Sequence, residues 1–355
     1  EGIDELDRAR TVMLCLGKAP AELVAALEPL TAANPERNLA AAKAVRAHPA
    51  AQPLFQGRDV TDQDLARIIG VLNTNCHTLE ELGGSGLFLL ACICEHSCTP
   101  NCSYNSNGTD IFLTALADIA PGDSITLDYL NQFYDPTEER RENLLESYGF
   151  TCNCPKCTGA VPDRCRAFVC PNAASGAGDR LAHVVCAHGA DDSAPGAFRC
   201  VTPGCGFVAD AATAEEYANA EFAVAEGGES DLLRPEHYIN FFAIAERATM
   251  LSAQDDRALA KMAVEQWTTI LGFLDQVLPA LHHERVMHLD RLAQVQFKSG
   301  DLEASRSTFK QAFELAQVCT GPANESRLTA KLKELVDNPP ATLQQLVLHY
   351  QDSAE

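Results

Sequence analysis

Three features are scarce in this chain: blocks of basic residues, long apolar runs, and cysteines outside residues 76–205. Its 355 residues hold 27 Lys and Arg against 49 Asp and Glu, which gives a net charge of -22. Recognition of nucleic acid through its phosphates needs a basic face, so we expect no direct nucleic-acid partner. An acidic surface is common among soluble proteins, and it also suits the steering of a basic peptide partner.

No apolar run approaches the ~18–20 residues that span a bilayer, and nothing near Glu1 reads as a signal peptide. We therefore expect an intracellular protein, in the cytoplasm or nucleus, without a membrane partner. The first residue is Glu rather than Met, and we expect further residues upstream. An apolar content of 46% excludes disorder throughout.

The composition changes three times along the chain. Residues 1–70 carry helical periodicity, residues 71–150 combine strand-like runs with a short helix, and residues 210–355 return to helices. Between them, residues 151–209 are rich in Gly, Pro and Cys, and from 159 onward we expect loops held by something other than an apolar core. The pattern predicts an α+β fold.

Several elements are marked locally. Thr61 and Asp62 are predicted caps of a helix in the first segment. Two strands are predicted, Asp110–Leu116 and Ser124–Leu130, and a helix over residues 136–148.

In the last segment, an apolar stripe indicates one buried helix face. Gly300–Asp301 lies between two predicted helices, and Leu289–Gln317 resembles a tetratricopeptide-like (TPR-like) helix pair. The stripe consists of Val264, Trp267, Leu271, Leu274 and Leu278.

The number and spacing of the cysteines indicate metal binding. The chain has 15, an odd number, and their close spacings without a secretory signal favour zinc over disulfides. Cys152, Cys154 and Cys157 supply three thiolates on one tight turn, and a tetrahedral zinc site needs a fourth ligand from elsewhere.

A second zinc site is predicted from two similar pairs, Cys165-x4-Cys170 and Cys200-x4-Cys205. Cys186 and His188 are alternative ligands, and a flexible loop with free thiols is the alternative to a second metal. Cys92, Cys94 and Cys102 are expected to be buried small residues rather than ligands. His282 and His283, at a helix border, are expected to be solvated.

Between Asn75 and Cys157 the chain carries an ordered series of motifs. These are Asn75–Thr78, Gly84–Phe88, Glu95–Cys102, Ile119–Tyr129, Pro136–Arg140 and Tyr148–Cys157. Their order and spacing resemble the C-terminal half of a SET domain with its cysteine-rich post-SET tail, most closely that of the SET-and-MYND (SMYD) lysine methyltransferases. The resemblance spans roughly residues 65–335 and is strongest up to residue 157.

The resemblance implies a SET-type β-rich catalytic unit with a zinc-bound post-SET segment. Residues 1–70 would be a helical SET-insert-like segment, 71–150 the C-terminal SET core, 151–209 the post-SET zinc region, and 210–355 a helical TPR-like domain. The implied activity is S-adenosylmethionine-dependent methylation of lysine side chains in histone or other proteins. The implied cofactors are S-adenosyl-L-methionine and zinc, and the helical domain would offer a surface to a protein partner.

The resemblance also implies site residues. Tyr129 and Tyr148 would line the methyl-transfer channel, where an apolar aromatic wall favours the neutral lysine amine and tyrosine hydroxyls orient it in line with the methyl group. The cofactor contacts would come from Asn75, Glu95, His96 and Phe150, with Phe150 packed on the adenine.

Cys98 would be the fourth ligand of the first zinc, and Asn101 would have a structural role in the threaded knot of the SET fold. Both assignments come from the resemblance and not from the spacing of the cysteines.

Two departures keep other functions open. The family usually has Asn where Glu95 stands, and an ionised carboxylate only accepts hydrogen bonds. No MYND module or N-terminal SET strand precedes residue 75, and Gly83–Gly86 falls after Asn75. The alternatives are a catalytically inactive SET-like scaffold that binds proteins through its helical C-terminal domain, and a zinc-stabilised helical adaptor without SET ancestry.

Overall fold

A computed structural model describes residues 27–57, 59–79, 82–174, 183–186, 198–320 and 327–351. Helices and strands are both present, which confirms the predicted α+β class. The contacts divide the chain into two units. One comprises Glu1–Glu95, Ser106–Ile111 and Arg141–Cys152, and the other His96–Asn105, Phe112–Arg140 and Asn153–Glu355.

Eleven α-helices lie in the described residues. They are α1 (Pro35–Ala47), α2 (Gln52–Phe55), α3 (Asp62–Asn75), α4 (Thr137–Tyr148), α5 (Ala211–Ala225), α6 (Tyr238–Ser252), α7 (Arg257–Val277), α8 (His283–Ser299), α9 (Leu302–Thr320), α10 (Arg327–Asp337) and α11 (Leu343–Gln351). In this described part no helix is both long and apolar enough to cross a bilayer.

The strands are short. They are β1 (Cys76–Leu79), β2 (Gly84–Leu87), β3 (Glu95–His96), β4 (Cys102–Asn107), β5 (Asp110–Ala115), β6 (Thr126–Leu127), β7 (Ala167–Val169), β8 (His183–Cys186) and β9 (Phe198–Cys200). They form the pairs β1–β2, β3–β6 and β4–β5 and one three-stranded sheet, β7–β8–β9.

In the first unit, α1 packs against α3 around buried apolar residues such as Val45 and Leu65. Helix α3 starts with a capping box, in which Thr61 accepts from the Asp64 backbone and the Asp64 carboxylate accepts from the Thr61 backbone. The predicted cap Thr61 is confirmed. Asp62 is the first helical residue, and its carboxylate instead pairs with Arg46.

The second predicted strand is shorter than expected. Only Thr126–Leu127 of Ser124–Leu130 is extended and paired. Beyond it the Asp128 carboxylate accepts the Leu130 N–H at 3.0 Å, and Asn131 adopts a left-handed φ of 53°. The Asp128 side chain therefore takes the place of a neighbouring strand as hydrogen-bond acceptor, and the chain turns away from the sheet.

The helical tail follows the predicted stripes. Trp267 and Leu274 of α7 are 1% and 0% exposed, so this face forms the core between α6, α7 and α8. Gly300 ends α8 with φ 88°, a left-handed cap that favours glycine. The predicted hairpin at Gly300–Asp301 is confirmed, with α8 packed on α9.

Residues 159–209 differ from the expectation of loops without a core. Strands β7, β8 and β9 form an antiparallel sheet, and an apolar cluster includes Phe168, Phe198, Tyr217 and Leu233. The sequence does not reveal these strands because each has only three or four residues, too few to show a period of two.

Candidate active site and metal centres

His96 has contacts at both of its ring nitrogens. It lies on β3, whose partner is β6, and the Ser97 N–H continues that pairing by donating to the Leu127 carbonyl at 3.0 Å. The imidazole is 1% exposed, and its Nδ1 accepts the Tyr129 backbone N–H at 3.2 Å. His96 thereby fixes the position at which Tyr129 leaves the strand.

The other imidazole nitrogen faces sulfur. His96 Nε2 lies 3.3 Å from Cys98 Sγ, and because Nδ1 acts as an acceptor, the Nε2–H tautomer donates toward the thiol. The rings of His96 and Tyr129 are 5.2 Å apart and tilted by 57°. This segment thus joins a predicted cofactor residue, a predicted catalytic residue and a predicted metal ligand.

Asn101 holds two segments of the same unit together. Its amide donates to the Ser124 carbonyl at 2.9 Å, and its side-chain oxygen accepts the Thr126 N–H at 2.8 Å. Its backbone N–H donates to Thr126 Oγ1 at 3.0 Å. These contacts match the structural role expected for Asn101.

Asn75 ends α3 in the first unit, and its amide group is engaged by the protein. Nδ2 donates to the carbonyls of Thr31 and Val71, both at 2.8 Å. Cys92 Sγ also donates to the Asn75 carbonyl at 3.5 Å. The side chain therefore anchors the C-terminal end of the helix, and its two N–H bonds are committed there.

Tyr148 and Phe150 lie close together at the end of α4. Their ring centroids are 6.4 Å apart with a tilt of 55°. Gly149 between them has φ 75°, a left-handed conformation that lets the chain turn sharply after the helix. Both rings are half-buried, whereas the Glu95 side chain is exposed.

The first cysteine cluster forms on the loop that follows Phe150. The sulfurs of Cys98, Cys152, Cys154 and Cys157 all lie within 4.8 Å of one another. Cys98 Sγ is 3.5 Å from Cys157 Sγ, and the Cys157 N–H points at Cys154 Sγ at 3.5 Å. Zinc–sulfur bonds of ~2.3 Å place tetrahedral sulfurs about 3.8 Å apart, so these residues fit one zinc ion.

A buried ionic cluster adjoins these thiols, and the sequence did not point to it. The Asp163 side chain is 5% exposed and accepts from Arg140 at 2.7 Å, with Lys156 Nζ at 3.4 Å. Burial alone would raise the pKa of Asp163, but the two cations and hydrogen bonds from Cys165 and Thr137 hold it well below its usual range. Lys156, a lysine between closely spaced cysteines, was the sequence feature that could have indicated this cluster.

Arg140 connects that cluster to the first group of cysteines. Its guanidinium is 2% exposed, and Nη2 lies 4.0 Å from Cys157 Sγ. A zinc ion with four thiolates carries a net charge of about -2, so a buried cation beside one sulfur favours the deprotonated ligand set.

The second predicted cysteine set needs a correction. The sulfurs of Cys170, Cys200 and Cys205 lie within 4.8 Å of one another, and Cys165 is not in that group. Cys165 Sγ instead donates to the Asp163 carboxylate at 2.9 Å. Burial, followed by the Asp163 charge, raises the pKa of the Cys165 thiol, so this residue belongs to the ionic cluster.

The alternative ligands cannot be placed beside that group. Cys186 ends β8, but its side chain, like the whole of His188, lies outside the described residues. Among the cysteines expected to be buried, Cys94 and Cys102 are 4% and 5% exposed, as predicted, and Cys92 is half-buried.

His282 also differs from the expectation. Its position at a helix border predicts a solvated ring, yet it is 4% exposed and its ring lies 5.5 Å from Phe133. Its Nδ1 caps α8 by accepting the Glu284 N–H at 3.2 Å, a role that needs the neutral imidazole. The neighbouring His283 side chain is 41% exposed, as expected.

Part of the chain is similar to a known domain family. Residues 34–130 match the family model described as SET domain. The match takes in α1, α3, the His96–Cys98 segment and Tyr129, and it confirms the resemblance seen in the sequence motifs.

The individual relatives are lysine methyltransferases. The chain is 43% identical over 84 residues to the protein-lysine N-trimethyltransferase SMYD5 of Mus musculus, covering 22% of this chain and 20% of that protein. It is 36% identical over 109 residues to the N-lysine methyltransferase SMYD2 of Mus musculus, covering 30% of this chain and 25% of that protein. The aligned segment thus spans about a fifth to a quarter of these relatives.

Proposed function

We propose that this chain carries the C-terminal SET portion of an S-adenosylmethionine-dependent methyltransferase acting on lysine side chains of proteins. The observation that carries the proposal is the SET-domain match over residues 34–130, within which His96 holds both Tyr129 and Cys98. The names of the relatives supply the substrate class. The same proposal places the protein inside the cell, where thiols stay reduced.

Tyr129 is proposed as the catalytic residue that orients the substrate amine. Its backbone position is set by His96, and its half-buried ring can present the hydroxyl to a lysine while excluding water from one side. Lysine has an ordinary pKa of ~10.4, and an apolar aromatic wall lowers it by desolvating the ammonium. Tyr148 is proposed as a second aromatic wall.

The cofactor contacts are proposed for Phe150, His96, Asn75 and Glu95. S-adenosylmethionine supplies an electrophilic methyl group, so the protein's contribution is to position the two reactants. The half-buried Phe150 ring suits adenine stacking. Glu95 can accept from the cofactor's amino group but repels its carboxylate, and Asn75 contributes by holding the end of α3.

Zinc at Cys98, Cys152, Cys154 and Cys157 is proposed to be structural. Four thiolates close the coordination sphere and leave no position for a substrate. The ion would tie the segment that carries His96 to the loop that follows Phe150. Chelation is therefore expected to disturb the cofactor and amine positions together.

The inactive scaffold remains the second candidate because of two observations. Glu95 presents an exposed carboxylate where the family usually has an amide, and both N–H bonds of the Asn75 amide are committed to backbone carbonyls. In this case the helical, TPR-like C-terminal domain would be the functional part, as a surface for a protein partner.

Calorimetric titration with S-adenosylmethionine, followed by methyl transfer to a lysine peptide, separates the two functions. For the enzyme we expect saturable binding and a Tyr129→Phe variant that binds the cofactor normally but loses turnover by about 100-fold or more. Tyr217→Phe removes a tyrosine hydroxyl outside residues 34–130 and is the matched control.

Normal turnover by Tyr129→Phe would refute its assigned role. A wild-type chain that fails to bind, together with a Glu95→Asn variant that binds, would favour the scaffold and identify Glu95 as the cause.

A further inference from the structure

The cysteines around the small sheet β7–β9 form a compact group of their own. Cys170 directly follows β7, Cys200 ends β9, and Cys205 lies five residues later on a turn. Their three sulfurs lie within 4.8 Å of one another. We propose that Cys170, Cys200 and Cys205 supply three of the ligands of a second zinc ion, which stabilises this sheet independently of the first cysteine cluster.

The sulfur spacing suits metal binding. Cys170 Sγ and Cys205 Sγ are 3.6 Å apart, whereas a disulfide would require about 2.05 Å. A tetrahedral ion with ~2.3 Å bonds places its sulfurs about 3.8 Å apart. A shift of a few tenths of an ångström therefore seats a zinc ion between these two thiols.

The turn between Cys200 and Cys205 brings both thiols toward the same position. The Cys205 N–H donates to the Thr202 carbonyl at 3.1 Å, and the Cys200 N–H donates to the Phe207 carbonyl at 3.0 Å. Gly204 has φ 80°, and a Cβ added there would meet no atom within 4 Å. Glycine is thus needed for the backbone conformation and not for packing, as in a tight metal-binding knuckle.

The limited packing of this region suggests that a bound ion contributes to its stability. The apolar cluster beneath the sheet is small and includes Phe168, Phe198 and Tyr217, while strands of three or four residues supply few ladder bonds. Small units of this kind commonly gain their folding free energy from a structural metal. Cys170 is 1% exposed, so its thiolate would need a cation to compensate burial.

The polar surroundings distinguish the two cysteine groups. Arg140, a buried cation, lies beside Cys157 in the first cluster, whereas in the described part of the chain the side-chain donor at the second is the neutral Asn172 amide, 3.8 Å from Cys205 Sγ. Counting the described residues, charge compensation of the thiolates is therefore weaker at the second group. We expect its ion to leave first when a chelator is added.

The test counts zinc in the full chain after purification with zinc and removal of the free ion, by inductively coupled plasma mass spectrometry. We expect two ions per chain in the wild type, one in Cys205→Ser, one in Cys154→Ser and two in Cys165→Ser. Cys165→Ser is the matched control because its sulfur lies in the ionic cluster. One ion per chain in the wild type, or two in Cys205→Ser, overturns the proposal.

A second measurement uses the wild-type chain and so does not depend on whether the variants fold. Alkylation of the wild-type chain, mapped by peptide mass spectrometry, should spare Cys170, Cys200 and Cys205 until EDTA is added. Their alkylation at 10-fold or greater rates after EDTA supports the site, whereas equal rates with and without EDTA overturn it.

A metal-free chain loaded with Co²⁺ should show sulfur-to-cobalt absorption that decreases in Cys205→Ser, and an unchanged spectrum would contradict the proposal.

Discussion

Replacing Asp163 by asparagine tests whether the buried ionic cluster stabilises the fold. The carboxylate accepts from Arg140 at 2.7 Å and from Thr137 at 2.5 Å, and it lies 3.4 Å from Lys156 Nζ. Cys165 donates at 2.9 Å to Asp163 Oδ1, the carboxylate oxygen that also faces Lys156. Asparagine keeps the shape of the side chain but removes the carboxylate charge with which the two buried cations pair.

The expected loss in free energy of unfolding is about 3 kcal/mol, at the lower end of the ~3–5 kcal/mol found when one partner of a buried ion pair is removed. Arg140 retains acceptors in the Asp135 carbonyl and in Thr137 Oγ1, and this reduces the loss. Urea unfolding of the zinc-loaded chain at pH 7 provides the measurement.

Glu314→Gln is the matched control, since it also removes one carboxylate charge. Its pair with Lys310 has a separation of 3.7 Å, with side chains that are 66% and 61% exposed, so we expect a change below about 0.5 kcal/mol. If Asp163→Asn destabilised the chain no more than this control, the cluster would not stabilise the fold.

The pH dependence gives an independent check. The pKa of Asp163 is lower in the folded protein than the ~3.9 of an unfolded chain, so its contribution is present above pH ~4 and is lost as pH falls through the folded value. The difference between wild type and Asp163→Asn should therefore be constant from pH 8 to 5 and shrink below about pH 4. A difference that vanishes between pH 7 and 6 would contradict this assignment.

Three further predictions concern other buried groups. Burial lowers the pKa of His282 to about 3 and of His288 to about 4. As pH falls from ~6.5 toward these values, the free energy of unfolding should therefore decrease by up to about 1.4 kcal/mol per pH unit for each histidine. Replacing either residue by Gln should flatten this pH profile, measured by urea unfolding. Trp267→Ala should cost about 3–5 kcal/mol in the same assay, because the indole is 1% exposed; a loss below about 1 kcal/mol would contradict its place in the core. Arg140→Met should accelerate zinc release to a chelator dye, because it removes the cation next to Cys157, and an unchanged release rate would refute that role.

Local elements were largely predictable because the residues that indicate them lie within one or two helical turns of each other. The capping residue Thr61 accepts from Asp64, three positions on, and Gly300 ends α8 with the left-handed backbone that its lack of Cβ permits. Trp267 and Leu274 repeat at the helical period and share one buried face. Such features need no knowledge of distant residues.

The grouping of the cysteines was predictable only in part. Cys152, Cys154 and Cys157 share one loop, so their spacing indicated a common ion. Cys98 lies 59 positions from Cys157, and family resemblance rather than spacing pointed to it. Cys165 had the same spacing to its neighbour as Cys200 has to Cys205, yet its thiol turns to Asp163.

The sequence alone determined which residue types are present, namely closely spaced thiols, aromatic rings, and apolar stripes for helix packing. Tertiary structure decided which of them meet. Cys165 and His282 are buried among groups from distant parts of the chain, and burial sets whether a thiol or an imidazole is neutral or charged. Spacing reports the geometry of a single turn, whereas desolvation and ion pairing depend on the whole fold.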